Sequence, residues 1–248
     1  MESGRILGQN HIVKHFENAI KMGKISHAYI VNGEKGTGKM QLAVDFAKAL
    51  QCEEFNGKAC GHCKSCKQTD SKNQPDIKYV TYEKSGIGVD EIREQINDDI
   101  DIKPYSSRYK IYIVDESEKM TVQAQNALLK TIEEPPEYAI IILLTTNADT
   151  FLPTILSRCV VLNIRPVKEE LIKNKLMSEY GIGAYEASVA AVFSGGNPGK
   201  AVELATSEDF KDLKNHVVGA LLSLEKGGMD VISVSYTHLR AHETSQDL

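Results

Sequence analysis

Residues 33–39 read Gly33-Glu34-Lys35-Gly36-Thr37-Gly38-Lys39, directly after the apolar run Ala28–Asn32 (AYIVN) and directly before a helical stripe of Leu42, Ala43, Phe46, Ala47 and Leu50. A G-x-x-x-x-G-K spacing between a strand and a helix is that of a phosphate loop. The small residues let successive backbone N–H groups turn inward around phosphate oxygens, the helix N-terminus adds its dipole, and the lysine reaches the terminal phosphates. Gly33, Gly36, Thr37, Gly38 and Lys39 are therefore the candidate nucleotide-binding residues, against the plainer reading of a glycine-rich turn that holds no ligand. Position 40 breaks the pattern. A serine or threonine there coordinates Mg²⁺ through its hydroxyl, and Met40 offers only a thioether, a soft and weak ligand for a hard cation. Weak ATP or ADP binding on backbone contacts is expected to survive; Mg²⁺ binding and efficient hydrolysis are not.

Four further runs resemble the strand before the loop: Ile77–Tyr82, Lys110–Asp115, Ala139–Thr146 with its three consecutive isoleucines, and Val160–Ile164. Continuous β-branched runs of this kind suit strands buried on both faces of a parallel sheet. Between them lie helical patterns: Met40–Leu50, the stripe Val89, Ile92, Ile96 and Ile100, and Val122–Ile132, which follows the cap Thr121 and stops at Pro135-Pro136. The alternation predicts an α/β doubly wound fold around a five-stranded parallel sheet. The third run delivers Asp115 and Glu116 to the C-terminal edge of that sheet, where ligands bind in open α/β folds. In an active nucleotide hydrolase the Asp holds the metal and the Glu polarises the attacking water; a helix-capping Asp-Glu pair is the alternative.

After Arg165-Pro166 only helical periodicity remains: Val167–Ser178, Ala184–Phe193, and a helix opened by Asn197 as cap with Pro198 at its first position. This sets the expected domain pattern: 1–165 as the phosphate-loop domain, 166–207 as a small helical lid, and 208–233 as the start of a further helical domain. From Val234 the chain reads VSYTHLRAHETSQDL, without apolar periodicity. Val234–Thr244 resembles a translated transposon-type sequencing adapter, so 234–248 is expected to be a non-native tail.

Composition narrows the classes of function. The chain has 248 residues, 42% hydrophobic and 25% charged, enough for a real core and unlike a disordered or fibrous chain. With 29 basic against 34 acidic residues the net charge is −5, and Trp is absent. That argues against wrapping nucleic acid directly, for which basic stripes with interleaved aromatics are the signature. The acidic run Asp90, Glu91, Glu94, Asp98, Asp99 and Asp101 reads as a solvated helix face. No apolar run approaches the roughly 18 residues of a membrane span, and the start MESGRILGQN has no signal core; a soluble, cytoplasmic protein with no membrane partner is expected.

Four of the five cysteines cluster: Cys52, Cys60, Cys63 and Cys66. The tight C-x-x-C-x-x-C run with a fourth cysteine eight positions upstream suits tetrahedral Zn²⁺ thiolate ligation, and four protein ligands make a structural rather than a catalytic site. An iron–sulfur cluster, which also takes four cysteines, and free buried thiols are the alternatives. Cys159 stands apart.

The phosphate loop, the cysteine insertion at 52–66 and Ser157-Arg158-Cys159 occur in this order together with Ile6-Leu7-Gly8-Gln9, His27-Ala28-Tyr29, the stretch Asn126–Pro136 (NALLKTIEEPP), and Leu152–Cys159 (LPTILSRC). In this order, over residues 5 to about 205, the chain resembles the bacterial DNA polymerase III clamp-loader subunits of the AAA+ class, its delta prime branch ahead of the gamma/tau ATPases. The resemblance implies a five-stranded AAA+ sheet with a zinc insertion and a helical lid. It implies a part in DNA replication, helping to load the sliding clamp onto primed DNA beside the gamma/tau ATPase and delta subunits. Arg158 matches the arginine finger, given in trans to ATP on a neighbouring subunit; its plainer reading is a surface arginine capping a short helix. Thr145-Thr146-Asn147 matches the sensor-1 region. Gly199 stands where the active ATPases have a sensing arginine, and Lys200 is a poor geometric replacement. Met40 and Gly199 together favour a stator with little or no ATPase of its own over the alternative, a gamma/tau-like motor that hydrolyses ATP itself. The family also has a helical collar domain, which this chain is expected to leave incomplete near residue 233. The holoenzyme's DNA-directed DNA polymerase (nucleotidyltransferase) activity has no site in this chain.

Overall fold

A computed structural model describes residues 6–83 and 86–225, with side chains to residue 222. The expected tail from Val234 lies outside the described residues. Five strands, β1 (Ala28–Asn32), β2 (Ile77–Val80), β3 (Lys110–Val114), β4 (Ala139–Thr145) and β5 (Val160–Asn163), form one parallel sheet in the order β2-β3-β4-β1-β5. The run of β-branched residues works as the sequence suggests, because alternate side chains of a strand feed opposite faces. Tyr29, Val31, Ile111, Ile113, Ile140, Ile142 and Leu144 enter one core. Ala28, Ile30, Tyr112, Val114, Ala139, Ile141 and Leu143 enter the other.

The first core is closed by α1 (Asn10–Met22) and α2 (Lys39–Gln51), with Phe16 stacked on Phe46 at 3.7 Å between ring centroids and Tyr29 edge-on to both. After α2, the cysteine-rich segment leads into α3 (Lys64–Asp70). The second core is closed by α4 (Val89–Ile92), a π-helical turn (Arg93–Asn97), α5 (Asp98–Ile100), α6 (Val122–Glu133) and α7 (Pro153–Leu156). Thr121 caps α6, its Oγ accepting from Ala124 N. One acid of the 90–101 run is not solvated. Asp99 accepts from Lys110 Nζ at 2.8 Å, Lys78 Nζ at 3.0 Å and Tyr112 Oη at 2.8 Å. Burial alone would raise its pKa, but these three donors hold it below the ordinary carboxylate value.

A third core gathers Val167, Ile172, Leu176, Ala187, Ala190, Ala191, Ala201 and Ala205 from the chain after β5, on α8 (Glu169–Tyr180), α9 (Ala184–Phe193) and α10 (Pro198–Thr206). Two boundaries differ from the sequence pattern for a local reason. The first helix here begins at Glu169 because its N-cap Lys168 is in extended backbone and Val167 N donates to Gly196 O at 2.8 Å. Strand β2 ends at Val80 because Tyr82 leaves the ladder to bond Glu116. The helix α11 (Glu208–Glu225) follows. The N-terminal segment ties the cores together: Ile6 packs on the first, Leu7 on the third, and the fully buried Gln9 exchanges two hydrogen bonds with the Arg165 backbone at 2.6 and 3.0 Å.

Candidate nucleotide and zinc sites

Gly33 to Lys39 leave β1 at the C-terminal edge of the sheet and open α2, whose N-cap is Gly38. Gly36 and Gly38 take φ of +86° and +89°, backbone that residues with a Cβ rarely adopt, and this lets the loop curl at its tip. Lys39 is 8% exposed, and its Nζ donates to Gly33 O at 2.5 Å and Glu34 O at 2.9 Å, so the ammonium is folded into its own loop. Burial lowers its pKa, against the pull of Glu118, Asp115 and Glu34. Thr37 Oγ1 donates to Glu34 O at 2.7 Å. The Met40 side chain packs against the first core.

Asp115 and Glu116 reach the same edge from β3, and they differ in their partners. Asp115 is exposed, with Oδ1 accepting from Glu116 N at 2.9 Å. Glu116 has φ of +47° and is engaged by Lys119 Nζ at 2.8 Å and by the Tyr82 hydroxyl, which together hold its pKa below the ordinary value. Glu118 accepts from the backbone N–H and hydroxyl of Thr146. Asn147 Oδ1 is used to cap the following turn, accepting from Asp149 N at 3.0 Å. Tyr82, Lys119 and Glu118 carried no motif, so periodicity and spacing did not single them out.

The lid bears directly on the loop. Gly199 N donates to Gly36 O at 3.0 Å, and Asn197 Nδ2 donates to Lys35 O at 2.8 Å and Glu34 Oε2 at 3.3 Å. A Cβ on Gly199 would lie 2.6 Å from Gly36 O and 2.7 Å from Gly36 Cα, so this approach admits glycine alone without a shift of backbone. Asn197 also caps α10, as its sequence position suggests, with Oδ1 accepting from Gly199 N and Lys200 N. Lys200 is exposed. A cavity of about 360 Å³ lies between this loop, Ile6, Leu7, Lys175 and Tyr180 of α8, and Pro198. Its volume falls in the range of small-molecule sites.

Arg158 sits at the other edge. It precedes β5, whose first residue pairs with Tyr29, while the phosphate loop follows the last residue of β1. A five-residue strand separates the two edges by about 16 Å. The Arg158 side chain is 41% exposed; Nη2 pairs with Glu133 Oε1 at 3.0 Å, and Nη1 donates to Thr154 O at 3.1 Å and Ser157 Oγ at 3.2 Å. The structure thus gathers Lys39, Asp115 and Glu116 at one edge and leaves Arg158 out of that group. Cys159 is partly buried, and burial pushes its thiol up to about 12.

The cysteines do converge. The sulfurs of Cys52, Cys60, Cys63 and Cys66 all lie within 4.8 Å of one another, and Cys60 Sγ is 4.0 Å from Cys66 Sγ. Zn–S bonds of about 2.3 Å in a tetrahedron place sulfurs roughly 3.8 Å apart, so the four residues fit a zinc ion. Backbone N–H groups of Cys60, Cys63 and Cys66 point at the sulfurs of Cys52, Cys60 and Cys63 at 3.3–3.4 Å, which favours thiolates. Burial pushes the Cys66 thiol well above its ordinary value, so that sulfur needs a cation to stay ionised. His62 is 74% exposed and turned to Glu54 at 3.1 Å, outside the set of four.

A phosphate loop on a five-stranded parallel sheet with a helical lid across it defines an AAA+ type fold. The fold alone is also shared with the Thermotoga maritima RuvB Holliday junction branch migration motor, at 17% identity and a TM-score of 0.54, over 94% of this chain and 70% of that one. A Thermotoga maritima DNA polymerase III gamma subunit-related protein is 26% identical with a TM-score of 0.50, over 82% and 65% of the two chains.

Residues 8–168 match the family model described as DNA polymerase III, delta subunit, and the chain belongs to this family of clamp-loader subunits. It is 31% identical to the DNA polymerase III subunit delta' of Bacillus subtilis over 211 residues, which is 85% of this chain and 63% of that protein. It is 37% identical to subunit tau of the same organism over 198 residues, 78% of this chain and 35% of tau. The chain therefore spans between about a third and two thirds of these relatives' lengths.

Proposed function

We propose that the chain acts in DNA replication as a delta prime-type stator of the clamp loader. In this reading it works in a complex with gamma/tau ATPase and delta subunits that loads the sliding clamp onto primed DNA, and Arg158 completes the ATP site of a neighbour. The observation that carries the reading is the placement of Arg158. A part-exposed guanidinium on the opposite sheet edge from its own phosphate loop is out of reach of that loop and suits use by another subunit, where a planar cation stabilises charge on the transferring phosphoryl group. The chain's own site supports the complementary half. Met40 packs into the core and supplies no metal-binding hydroxyl, Gly199 supplies no sensing cation, and Glu116 is engaged by Lys119 and Tyr82. ATP or ADP binds weakly on the loop's backbone, with Mg²⁺ poorly held. Cys52, Cys60, Cys63 and Cys66 hold a structural zinc, whose bonding would fix the segment between α2 and α3. We assign 1–165 as the AAA+ domain with its insertion at 52–66, 166–207 as the lid, and the chain from 208 as the start of a collar.

The test is ATP hydrolysis by the assembled loader and by the chain alone. Arg158→Ala is expected to slow the assembled loader by about a thousandfold or more at the site it serves, with the chain still folded, while the chain alone turns over negligible ATP. An unchanged rate with Arg158→Ala removes the stator reading. The second reading, a gamma/tau-like motor, is favoured by the 37% identity to tau and by the retained Asp115-Glu116 pair. Brisk hydrolysis by the isolated chain would establish it.

A further inference from the structure

We infer that Glu133 is the positioning residue for Arg158, holding its guanidinium in the pose from which it serves a neighbour; this rests on the reading of Arg158 as a finger given in trans. Glu133 is the last residue of α6, before the break at Pro135-Pro136. A carboxylate there is opposed by the negative end of the helix dipole, so its position gains nothing for α6 itself. Its partner is 25 positions away in sequence, on the chain just after α7. Both helices are anchored in one core, α6 through Leu128 and Ile132 and α7 through Ile155. The pair is therefore a bracket between two fixed elements.

The contacts divide the guanidinium between them. Thr154 O and Ser157 Oγ take Nη1, both from Arg158's own turn. Glu133 takes Nη2 and is the one contact given above that comes from another element. A free arginine side chain carries about 2 kcal/mol of rotamer entropy, and a catalytic cation that must first be ordered loses rate accordingly. An ion pair whose two members are 41% and 45% exposed contributes little to folding. The effect of removing it is thus separable from stability.

The experiment is steady-state ATP hydrolysis by the loader assembled with this chain as wild type, Glu133→Gln, Glu133→Asp, Arg158→Ala and the double variant. Glu133→Gln is expected to lower kcat roughly ten- to a hundredfold with KM unchanged and the chain's Tm within about 2 °C. Glu133→Asp is expected to recover part of that loss. The double variant is expected to match Arg158→Ala, because the two side chains act as one unit. If Arg158→Ala is impaired while Glu133→Gln hydrolyses at the wild-type rate or faster, the positioning role fails and the finger stands. If Arg158→Ala is itself without effect, the finger reading fails and this inference with it.

Discussion

At the C-terminal edge of the sheet the ionic groups end on partners from the same chain, Lys39 on two loop carbonyls, Glu116 on Lys119 and Tyr82, Glu118 on Thr146. At the N-terminal edge the pattern splits. Asp99, Lys110 and Lys78 form a brace around the start of β3, and Arg158, before β5 at the far side of the sheet, stays two-fifths exposed. In a working nucleotide hydrolase the first edge is the reactive one, its charges left for phosphate and metal. Here the lid lies against that edge at Lys35 and Gly36, and Arg158 lies at the other end of the strands. The loop at that edge keeps its shape without a ligand, because Tyr29, Phe16 and Phe46 pack behind it as part of the first core.

The brace gives the largest effect on stability. Asp99→Asn leaves Lys110, 5% exposed, with the carbonyls of Asp99 and Ile102 and no countercharge. A loss of about 3 kcal/mol is expected at neutral pH, read from urea unfolding. The sign with pH follows from the lowered pKa of Asp99. Its stabilisation is complete above the unfolded value of about 3.9 and is lost as pH falls through the lower folded value. Wild type and variant therefore converge in acid. A deficit that persists unchanged at pH 2 would mean that the amide disturbs packing rather than charge, and the brace would lose its electrostatic meaning.

Much of this layout is legible in the sequence, and what is not has a common cause. Strands entering both faces announce themselves through unbroken apolar runs such as Ala139–Thr145, and local caps such as Thr121 and Asn197-Pro198 act within a turn of their own positions. The cysteine set is legible because three of its members are close in sequence. The pairings that tie up the C-terminal edge join Tyr82 to Glu116, and Asn197 to Lys35 across 162 positions. No period or spacing specifies such contacts; they exist only once the sheet and lid are assembled. Asp99 is the clearest case, an acid among acids in sequence whose partners lie on two strands.

The lid contact gives the next effect, and two opposing terms make its sign informative. Ala at position 199 is preferred to Gly inside a helix by about 1 kcal/mol, so Gly199→Ala should stabilise α10 if nothing opposes it. Its Cβ would meet the Gly36 backbone at 2.6–2.7 Å, and overpacking of this kind costs about 1–3 kcal/mol. A net loss of about 1 kcal/mol is expected, with faster amide exchange at position 199 and at Lys200. A gain in stability would mean that lid and loop stand apart in solution, and the covered edge would become an open one.

Lys39→Met gives the smallest effect and the sharpest contrast with Arg158. The variant keeps the aliphatic stem and loses two hydrogen bonds to carbonyls, each worth about 0.5–1.5 kcal/mol net. It also loses an ammonium whose pKa burial lowers. Between that folded value and the unfolded value of about 10.4, the unfolded chain binds more protons, so wild-type stability rises with pH across this window. Carrying the charge therefore costs the fold something below it. The two terms oppose each other, and a net change within about 1 kcal/mol is expected at neutral pH, shifting toward wild type in alkali. Hydrolysis by the assembled loader should change less than about twofold, because a lysine bonded to its own loop stabilises no transferring phosphoryl group. A collapse of turnover with Lys39→Met, comparable to that with Arg158→Ala, would place working chemistry at both edges and favour the motor reading over the stator reading.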